Sequence, residues 1–240
     1  MMQLSKKFFS FLFLLIPLFL ITGPALPDIV ITLGLIFGII YFIYYKEYSE
    51  LIRINFIRIS AIFWLSLIFI SFFSYNKTNS FQDALIFIRF LFIPILCYFI
   101  FFKKRELFKK TLFVITVLVI FVCIDSFYQF LNYTSEHGFG KDLLGYKSNW
   151  YGRLTGPFGD ELIPGSYISK FGLLGFAFLI SIKKFENKII FHSIYLSSIL
   201  FISFISGERM AFATFGLTLI FLFLFLVLLL VIMTRLPVTY

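Results

Sequence analysis

Long apolar runs separated by short polar segments fill most of the chain, and this pattern predicts membrane helices. A helix of roughly 20 apolar residues spans the hydrocarbon core of a bilayer. Eight runs meet or approach that length. They cover residues 8–22, 27–45, 57–76, 81–102, 111–132, 161–182, 189–206 and 208–234.

These runs predict an all-α fold: a polytopic transmembrane helical bundle of about eight helices that forms one domain over residues 1–240. The composition agrees, because 60% of the residues are hydrophobic, 14% are charged and the mean hydropathy is +0.99. A soluble protein carries about 25% charged residues. We therefore expect a multi-pass protein of the bacterial inner (cytoplasmic) membrane, in contact with membrane lipids.

Two features qualify the helix pattern. Pro17 and Pro94 lie inside the first and fourth runs and are expected to kink those helices, which membrane helices tolerate. A signal peptide is the alternative interpretation of the first run, because Lys6 and Lys7 precede it and the small residue Ala25 follows it.

The basic residues predict which loops face the cytoplasm. With the N-terminus inside, fourteen of the 21 Lys and Arg residues fall on the cytoplasmic side and five on the outer side. The inner set is Lys6, Lys7, Lys46, Arg53, Arg58, Lys103, Lys104, Arg105, Lys109, Lys110, Lys183, Lys184, Lys188 and Arg235; the outer set is Lys77, Lys141, Lys147, Arg153 and Arg209. Both termini are therefore expected in the cytoplasm, and the long loop over about residues 133–160 in the periplasm. This topology accounts for the net charge of +9, so no nucleic-acid partner is predicted.

Three ionisable residues, Arg89, Asp125 and Lys170, lie inside predicted spans, where each costs a few kcal/mol unless it has a partner or a wet cavity. At the helical rise, all three lie roughly 10–14 Å below the outer surface. Equal depth on three consecutive helices predicts a shared polar site. A structural ion pair of Asp125 with Arg89 or Lys170 is the alternative.

The fifth run carries a polar stripe that points to the same region. Asp125, Tyr128, Gln129 and Asn132 are spaced i, i+3, i+4 and i+7, so they share one helix face. This face predicts the wall of a polar cavity that opens outward.

Arg153 and Arg209 lie at the predicted outer mouth of this region. The planar fork of arginine binds phosphate with two hydrogen bonds and stays charged, so a pyrophosphate-linked lipid is a suitable substrate. The alternative is that the arginines pair with Asp160, Glu161 or Glu208. The sequence has neither a Cys/His cluster with metal-ligand spacing nor a phosphate-binding glycine loop, so no metal and no cofactor are predicted.

Three segments together resemble the O-antigen ligase and O-antigen polymerase family of bacterial envelope proteins. The segments are IDSFYQFLNY (124–133), GYKSNWYGRLTGPFGDELIPGSYISKF (145–171) and FISGERMAFATF (204–215). Family members have an Asp-x-x-Tyr-Gln near a helix end, an Arg-x-x-Gly-x-Phe segment and a Ser-x-Arg-type turn. Here Arg153, Gly156 and Phe158 match the second element, and Ser206, Glu208 and Arg209 match the third.

The resemblance implies metal-independent glycosyl transfer at the periplasmic face, in O-antigen, lipopolysaccharide or other surface polysaccharide biosynthesis. The donor is expected to be a polyprenyl-diphosphate-linked glycan, and the acceptor a lipid A core sugar (ligase) or a second lipid-linked glycan (polymerase). Glu161 and Glu208 are the candidate catalytic bases, ahead of His137. The predicted substrate-binding residues are Arg153, Arg209, Arg89, Asp125, Gln129 and Lys170.

The chain departs from the family pattern in two ways. Asp160-Glu161-Leu162 replaces the Asn-Pro-Asn that follows Gly-x-Phe in many members. Members are also usually longer, with about a dozen spans and a large later periplasmic loop, so a C-terminally truncated member is expected. Two other functions stay open: a transporter or flippase of a lipid-linked or anionic substrate, and a non-catalytic membrane scaffold.

Overall fold

The computed structural model describes residues 11–12, 14–23, 25–45, 55–90, 105–136, 138–182 and 188–235. Within these ranges the protein is all-helical, with eight α-helices and no β-strand. They are α1 (Ile16–Phe19), α2 (Ala25–Tyr45), α3 (Asn55–Ser71), α4 (Lys77–Ile86), α5 (Arg105–Leu131), α6 (Pro164–Ser181), α7 (Ile189–Ile205) and α8 (Arg209–Arg235). The prediction of an all-α fold with about eight helices is confirmed for the described residues.

Most helix bounds follow the apolar runs, and the differences have local causes. The α4 helix begins at Lys77 because the side chain of Asn76 caps it, accepting a hydrogen bond from the backbone N–H of Asn79 (3.4 Å). Pro17 was expected to kink a continuous helix. Instead, a turn at Leu15 interrupts the first run, and Pro17 lies in the first turn of α1, where proline is tolerated. Pro94, Cys97 and His137 lie outside the described residues.

The chain divides into two compact units, Met1–Thr111 and Leu112–Tyr240. The single domain inferred from the sequence stays a prediction. In the first unit α3 packs against α4. The indole N–H of Trp64 donates to the backbone carbonyl of Ala84 (2.9 Å), and the rings of Phe63 and Phe87 meet edge to face.

The second unit is built around α6, which packs against α7 and α8. Small residues on α6 let the neighbouring backbones approach closely, as in membrane helix pairs. The hydroxyl of Tyr195 on α7 donates to the carbonyl of Gly172 (3.1 Å), and the hydroxyl of Thr116 on α5 donates to the carbonyl of Gly175 (3.5 Å). Ring contacts of Phe113 with Phe178 also join α5 to α6.

The exposed face of α5 is apolar over most of its length. Its buried face is mixed: Asp125, Ser126 and Gln129, all 0% exposed, lie at the C-terminal end, and the apolar Ile115, Val119 and Val122 lie before them. The exposed large side chains are Phe108, Phe113, Val117, Ile120, Ile124, Phe127, Tyr128 and Leu131. Two segments of the described chain, Glu106–Leu131 in α5 and Arg209–Leu228 in α8, have the length and apolar composition needed to cross a membrane.

The close approach at Gly175 predicts a sharp packing effect. A Cβ atom there would overlap the hydroxyl of Tyr195, whereas a Cβ atom at Gly216 on α8 meets no neighbouring atom within 4 Å. We expect Gly175→Leu to destabilise the fold by about 1–3 kcal/mol through overpacking. The control Gly216→Leu should cost nothing, because leucine is the better helix former. Thermal unfolding midpoints of the detergent-purified variants measure the difference; equal midpoints would contradict the predicted packing.

Candidate functional site

Arg153 and Arg209, predicted at the same mouth, line one pocket of about 760 Å³. Arg153 belongs to the loop between α5 and α6, and Arg209 is the first residue of α8. The remaining lining residues are Gly152, Phe204, Gly207, Glu208, Met210 and Phe212. The pocket therefore combines two cations and one carboxylate with an apolar wall.

A tight turn between α7 and α8 brings the two arginines together. The backbone N–H of Leu154 donates to the carbonyl of Ser206 (3.3 Å), so the loop lies directly on this turn. Gly207 has a φ of +78°, and a Cβ atom there would lie 3.1 Å from the carbonyl oxygen of Gly152. Glycine is therefore required at position 207, both for the backbone conformation and for the close approach.

Neither arginine forms an ion pair with any residue that the structure describes. Asp160, one of the predicted alternative partners, instead accepts a hydrogen bond from the side-chain amide of Asn149 (2.8 Å). Arg153 is half-buried and its Nε atom is fully buried without a hydrogen-bond partner among the described residues, whereas Arg209 is exposed. Glu161 is exposed and does not line the pocket.

Glu208 holds the N-terminus of α6. One carboxylate oxygen accepts the backbone N–H of Gly165 (2.7 Å), and the other accepts the backbone N–H (3.1 Å) and the hydroxyl of Ser166. The N-cap residue Ile163 provides no side-chain cap of its own. The carboxylate thus satisfies two of the free amides at this helix end and meets the positive end of its dipole.

Gln129 holds the loop from the α5 side. Its side-chain oxygen accepts the backbone N–H groups of Thr155 (3.0 Å) and Gly156 (2.9 Å), and its side-chain nitrogen donates to the hydroxyl of Thr155 (3.2 Å). These bonds fix the 3₁₀ turn Gly156–Phe158 that follows Arg153. Gln129 is fully buried, so it contacts the loop rather than lining the pocket.

Asp125 has a similar contact with the loop. One of its carboxylate oxygens accepts the backbone N–H of Leu143 (3.0 Å), and the residue is 0% exposed. The stripe on α5 therefore anchors the loop, which differs from the predicted cavity wall.

The other two ionisable residues of the predicted spans belong to different units, Arg89 to the first and Lys170 to the second. Arg89 forms an ion pair with Asp28 (2.9 Å) inside the first unit, and its guanidinium carbon lies 4.8 Å from the ring centre of Phe90. Lys170 is exposed and, among the described residues, has no ion-pair partner. The alternative of an ion pair between Asp125 and Arg89 or Lys170 is therefore wrong, because Arg89 pairs with Asp28 and Asp125 accepts the N–H of Leu143. The polar site shared by all three residues stays a prediction.

Several residues of the site were missed at the sequence level. Phe204, Met210 and Phe212 form the apolar wall, but phenylalanine is so common here, with 38 residues, that no one ring stands out. Asp142 had a usable signal: an aspartate three residues before Gly145 is typical of a turn in which the side chain binds the backbone. The structure has this contact, from the N–H of Tyr146 to Asp142 (2.7 Å).

Comparisons of the chain with protein-family models, with curated proteins and with solved structures find no match. The resemblance to the O-antigen ligase and polymerase family therefore stays a prediction.

Replacing Glu208 tests its role as a helix cap. Glu208→Ala leaves the buried amide of Gly165 and the part-buried amide of Ser166 unpaired and should lower the free energy of unfolding by about 1–3 kcal/mol. Glu208→Gln keeps one accepting oxygen, so its free energy of unfolding should fall by less than that of Glu208→Ala. Thermal unfolding and amide hydrogen exchange at Gly165 and Ser166 measure the effect.

The matched control is Glu161→Ala, because Glu161 is exposed and its carboxylate forms no hydrogen bond with a described residue. Its effect should stay within about 0.5 kcal/mol. Unchanged exchange at Gly165 in Glu208→Ala would contradict the capping role.

Proposed function

We propose that this protein is a multi-pass protein of the bacterial inner membrane, with both termini in the cytoplasm, that transfers glycan from a polyprenyl-diphosphate-linked donor on the periplasmic side. The distribution of basic residues supports the orientation. The apolar exposed face of α5, together with the buried Asp125, Ser126 and Gln129, supports the membrane placement. Water favours polar exposed faces, whereas lipid favours apolar exposed faces with polar groups turned inward.

The pocket that Arg153 and Arg209 share is the observation on which the transferase proposal depends. Two guanidinium groups without carboxylate partners in the described chain suit a ligand with two adjacent anionic groups, such as a diphosphate. A single phosphate or a carboxylate offers fewer acceptor oxygens for two planar forks.

The wall of the pocket suits the lipid part of the same ligand. The rings of Phe204 and Phe212 lie 5.3 Å apart at their centres, and both are exposed beside the arginines, as is Met210. An isoprenoid chain would remove these apolar surfaces from contact with water, which is favourable at about 25 cal/mol per Å². Cationic and apolar surfaces side by side therefore match an amphiphilic polyprenyl diphosphate.

Bond cleavage in the donor leaves a diphosphate that gains negative charge as the glycosidic bond breaks. Fixed positive charges held before the reaction stabilise that developing charge without further reorganisation. The acceptor hydroxyl, on a lipid A core sugar or a second lipid-linked glycan, loses its proton to a general base.

Glu208 and Glu161 have different proposed roles. We assign Glu208 a positioning role, because both of its oxygens are already engaged at α6 and because Arg209 follows it directly. Its hydrogen bonds fix the turn that carries Arg209. Glu161 keeps the role of candidate base, since its carboxylate is exposed and lies on the same loop as Arg153.

Substitution of the arginines tests the proposal. Because charge-assisted hydrogen bonds contribute about 1.5–3 kcal/mol each, Arg153→Ala and Arg209→Ala should each weaken binding of farnesyl diphosphate, a short polyprenyl diphosphate, by about 10-fold or more. Lysine variants keep the charge but lose the fork, so they should fall in between. The alanine variants should also fail to restore surface glycan to a strain that lacks the gene.

Lys77→Ala is the control, because Lys77 is an exposed cation of the same predicted outer side that does not line the pocket. It should bind and complement normally. Normal rescue of surface glycan by both arginine→alanine variants would refute the assignment. Retained binding with lost rescue would move the arginines from donor binding to a later step.

A further inference from the structure

Residues 141–147 form a closed hairpin in the loop between α5 and α6. Lys141 and Lys147 form an antiparallel β-bridge. Inside it, the N–H of Asp142 donates to the carbonyl of Tyr146 (2.8 Å), and the N–H of Tyr146 donates to the Asp142 carboxylate (2.7 Å). Gly145 turns the chain with a φ of +89°. We call residues 141–147 the loop hairpin.

Two contacts fix the direction of the loop hairpin. At its base, the carbonyl of Lys141 accepts a hydrogen bond from the side chain of Asn132, just past the end of α5 (2.9 Å). Near its tip, the N–H of Leu143 donates to Asp125 (3.0 Å). Asp125 lies seven residues before Asn132, about 10 Å along the helix. The loop hairpin therefore runs back alongside α5 instead of extending away from its end.

The exposed side chains of the loop hairpin are apolar towards its tip and basic at its base. Leu143, Leu144 and Tyr146, at its tip, are all at least 50% exposed. The two exposed lysines, Lys141 and Lys147, face each other at its base. In water, an exposed pair of adjacent leucines is unfavourable. The apolar tip and the two lysines at the other end of the loop hairpin match the layers of a bilayer, in which acyl chains lie below anionic head groups.

The backbone of the tip also suits a water-free environment, where unpaired amides cost several kcal/mol. Four of the five N–H groups from residue 142 to residue 146 have partners: those of Asp142, Leu143 and Tyr146 have the partners already named, and that of Gly145 donates to the carbonyl of Asp142 (3.2 Å). One oxygen of Asp125 and one of Asp142 each accept a backbone amide, and the second oxygen of each is buried without a hydrogen-bond partner among the described residues.

We infer that the loop hairpin is a re-entrant membrane element. Leu143, Leu144 and Tyr146 insert into the acyl region of the outer-facing leaflet, and Lys141 and Lys147 bind the phosphate of anionic lipid head groups above them. The inference rests on the membrane placement of α5 in the proposed function, and it is independent of the reaction at the arginine pocket.

Depth measurements with spin labels test the inference on the full chain. Single cysteines replace Leu144, Val117 and Asn149 in turn, in a background in which Cys97→Ala and Cys123→Ala remove the native thiols. Val117, on the exposed face of α5, is the lipid control; Asn149, exposed in the same loop, is the water control. Each labelled protein is placed in vesicles of phosphatidylethanolamine and phosphatidylglycerol, after circular dichroism shows native helix content.

We expect the label at position 144 to collide more often with oxygen than with a water-soluble nickel chelate, as the label at 117 does, and the label at 149 to do the reverse. A label at 144 that behaves like that at 149, with 117 in lipid, would overturn the re-entrant hairpin and leave the membrane placement intact. Nickel access at both 117 and 144 would overturn the membrane placement and the hairpin together.

The lysines have their own test. In vesicles with phosphatidylglycerol, the label at 144 should lie deeper than in vesicles of phosphatidylcholine alone. The double variant Lys141→Gln/Lys147→Gln should lose this dependence on lipid charge, whereas Lys77→Gln should keep it. A dependence that survives in the double variant would overturn the binding of head groups by these lysines.

Discussion

The second unit depends on one buried carboxylate. Glu208 directly precedes α8, and its two carboxylate oxygens accept hydrogen bonds from free amides at the N-terminus of α6. A helix end without such a partner leaves unsatisfied donors, which is most costly where water is excluded. The same contact fixes the turn between α7 and α8 against the loop that carries Arg153. The site and the packing of the helices therefore have a common origin.

Gln129 on α5 also binds free backbone amides, in this case those of the loop between α5 and α6. Its amide has one acceptor and one donor end, so a single side chain binds two backbone N–H groups and a hydroxyl of the loop. Removing Gln129 would free the amides of Thr155 and Gly156, and removing Glu208 would free those of Gly165 and Ser166. These two anchors hold the loop that carries Arg153 against α5 and fix the turn that carries Arg209 against α6.

The sequence predicted the helices well because hydropathy is a local property. Six of the eight apolar runs agree with the observed helices within about six residues at each end, whereas the first and fourth runs, 8–22 and 81–102, correspond to the shorter helices α1 and α4. Arg153 and Arg209, which were expected to lie close together, line one pocket. The partners of the charged residues were not predictable in this way. Glu208 meets Gly165 at a separation of 43 residues, and Arg89 meets Asp28 at a separation of 61. The periodicity of a sequence does not predict contacts between residues so far apart. Glu208 was therefore interpreted as a base and Arg89 as part of a shared site.

Arg153 also bears on how selective the pocket is. Its Nε atom loses its hydration when the chain folds, and no residue in the described part of the protein compensates for that loss. The desolvation cost is therefore incurred at folding instead of at recognition. Under the proposed function, a diphosphate that moved the Arg153 side chain and accepted a hydrogen bond from this nitrogen would recover the lost energy, whereas an uncharged isoprenoid alcohol of equal size would recover little of it. If the proposed donor binds here, the pocket therefore favours phosphorylated isoprenoid carriers over the corresponding free alcohols.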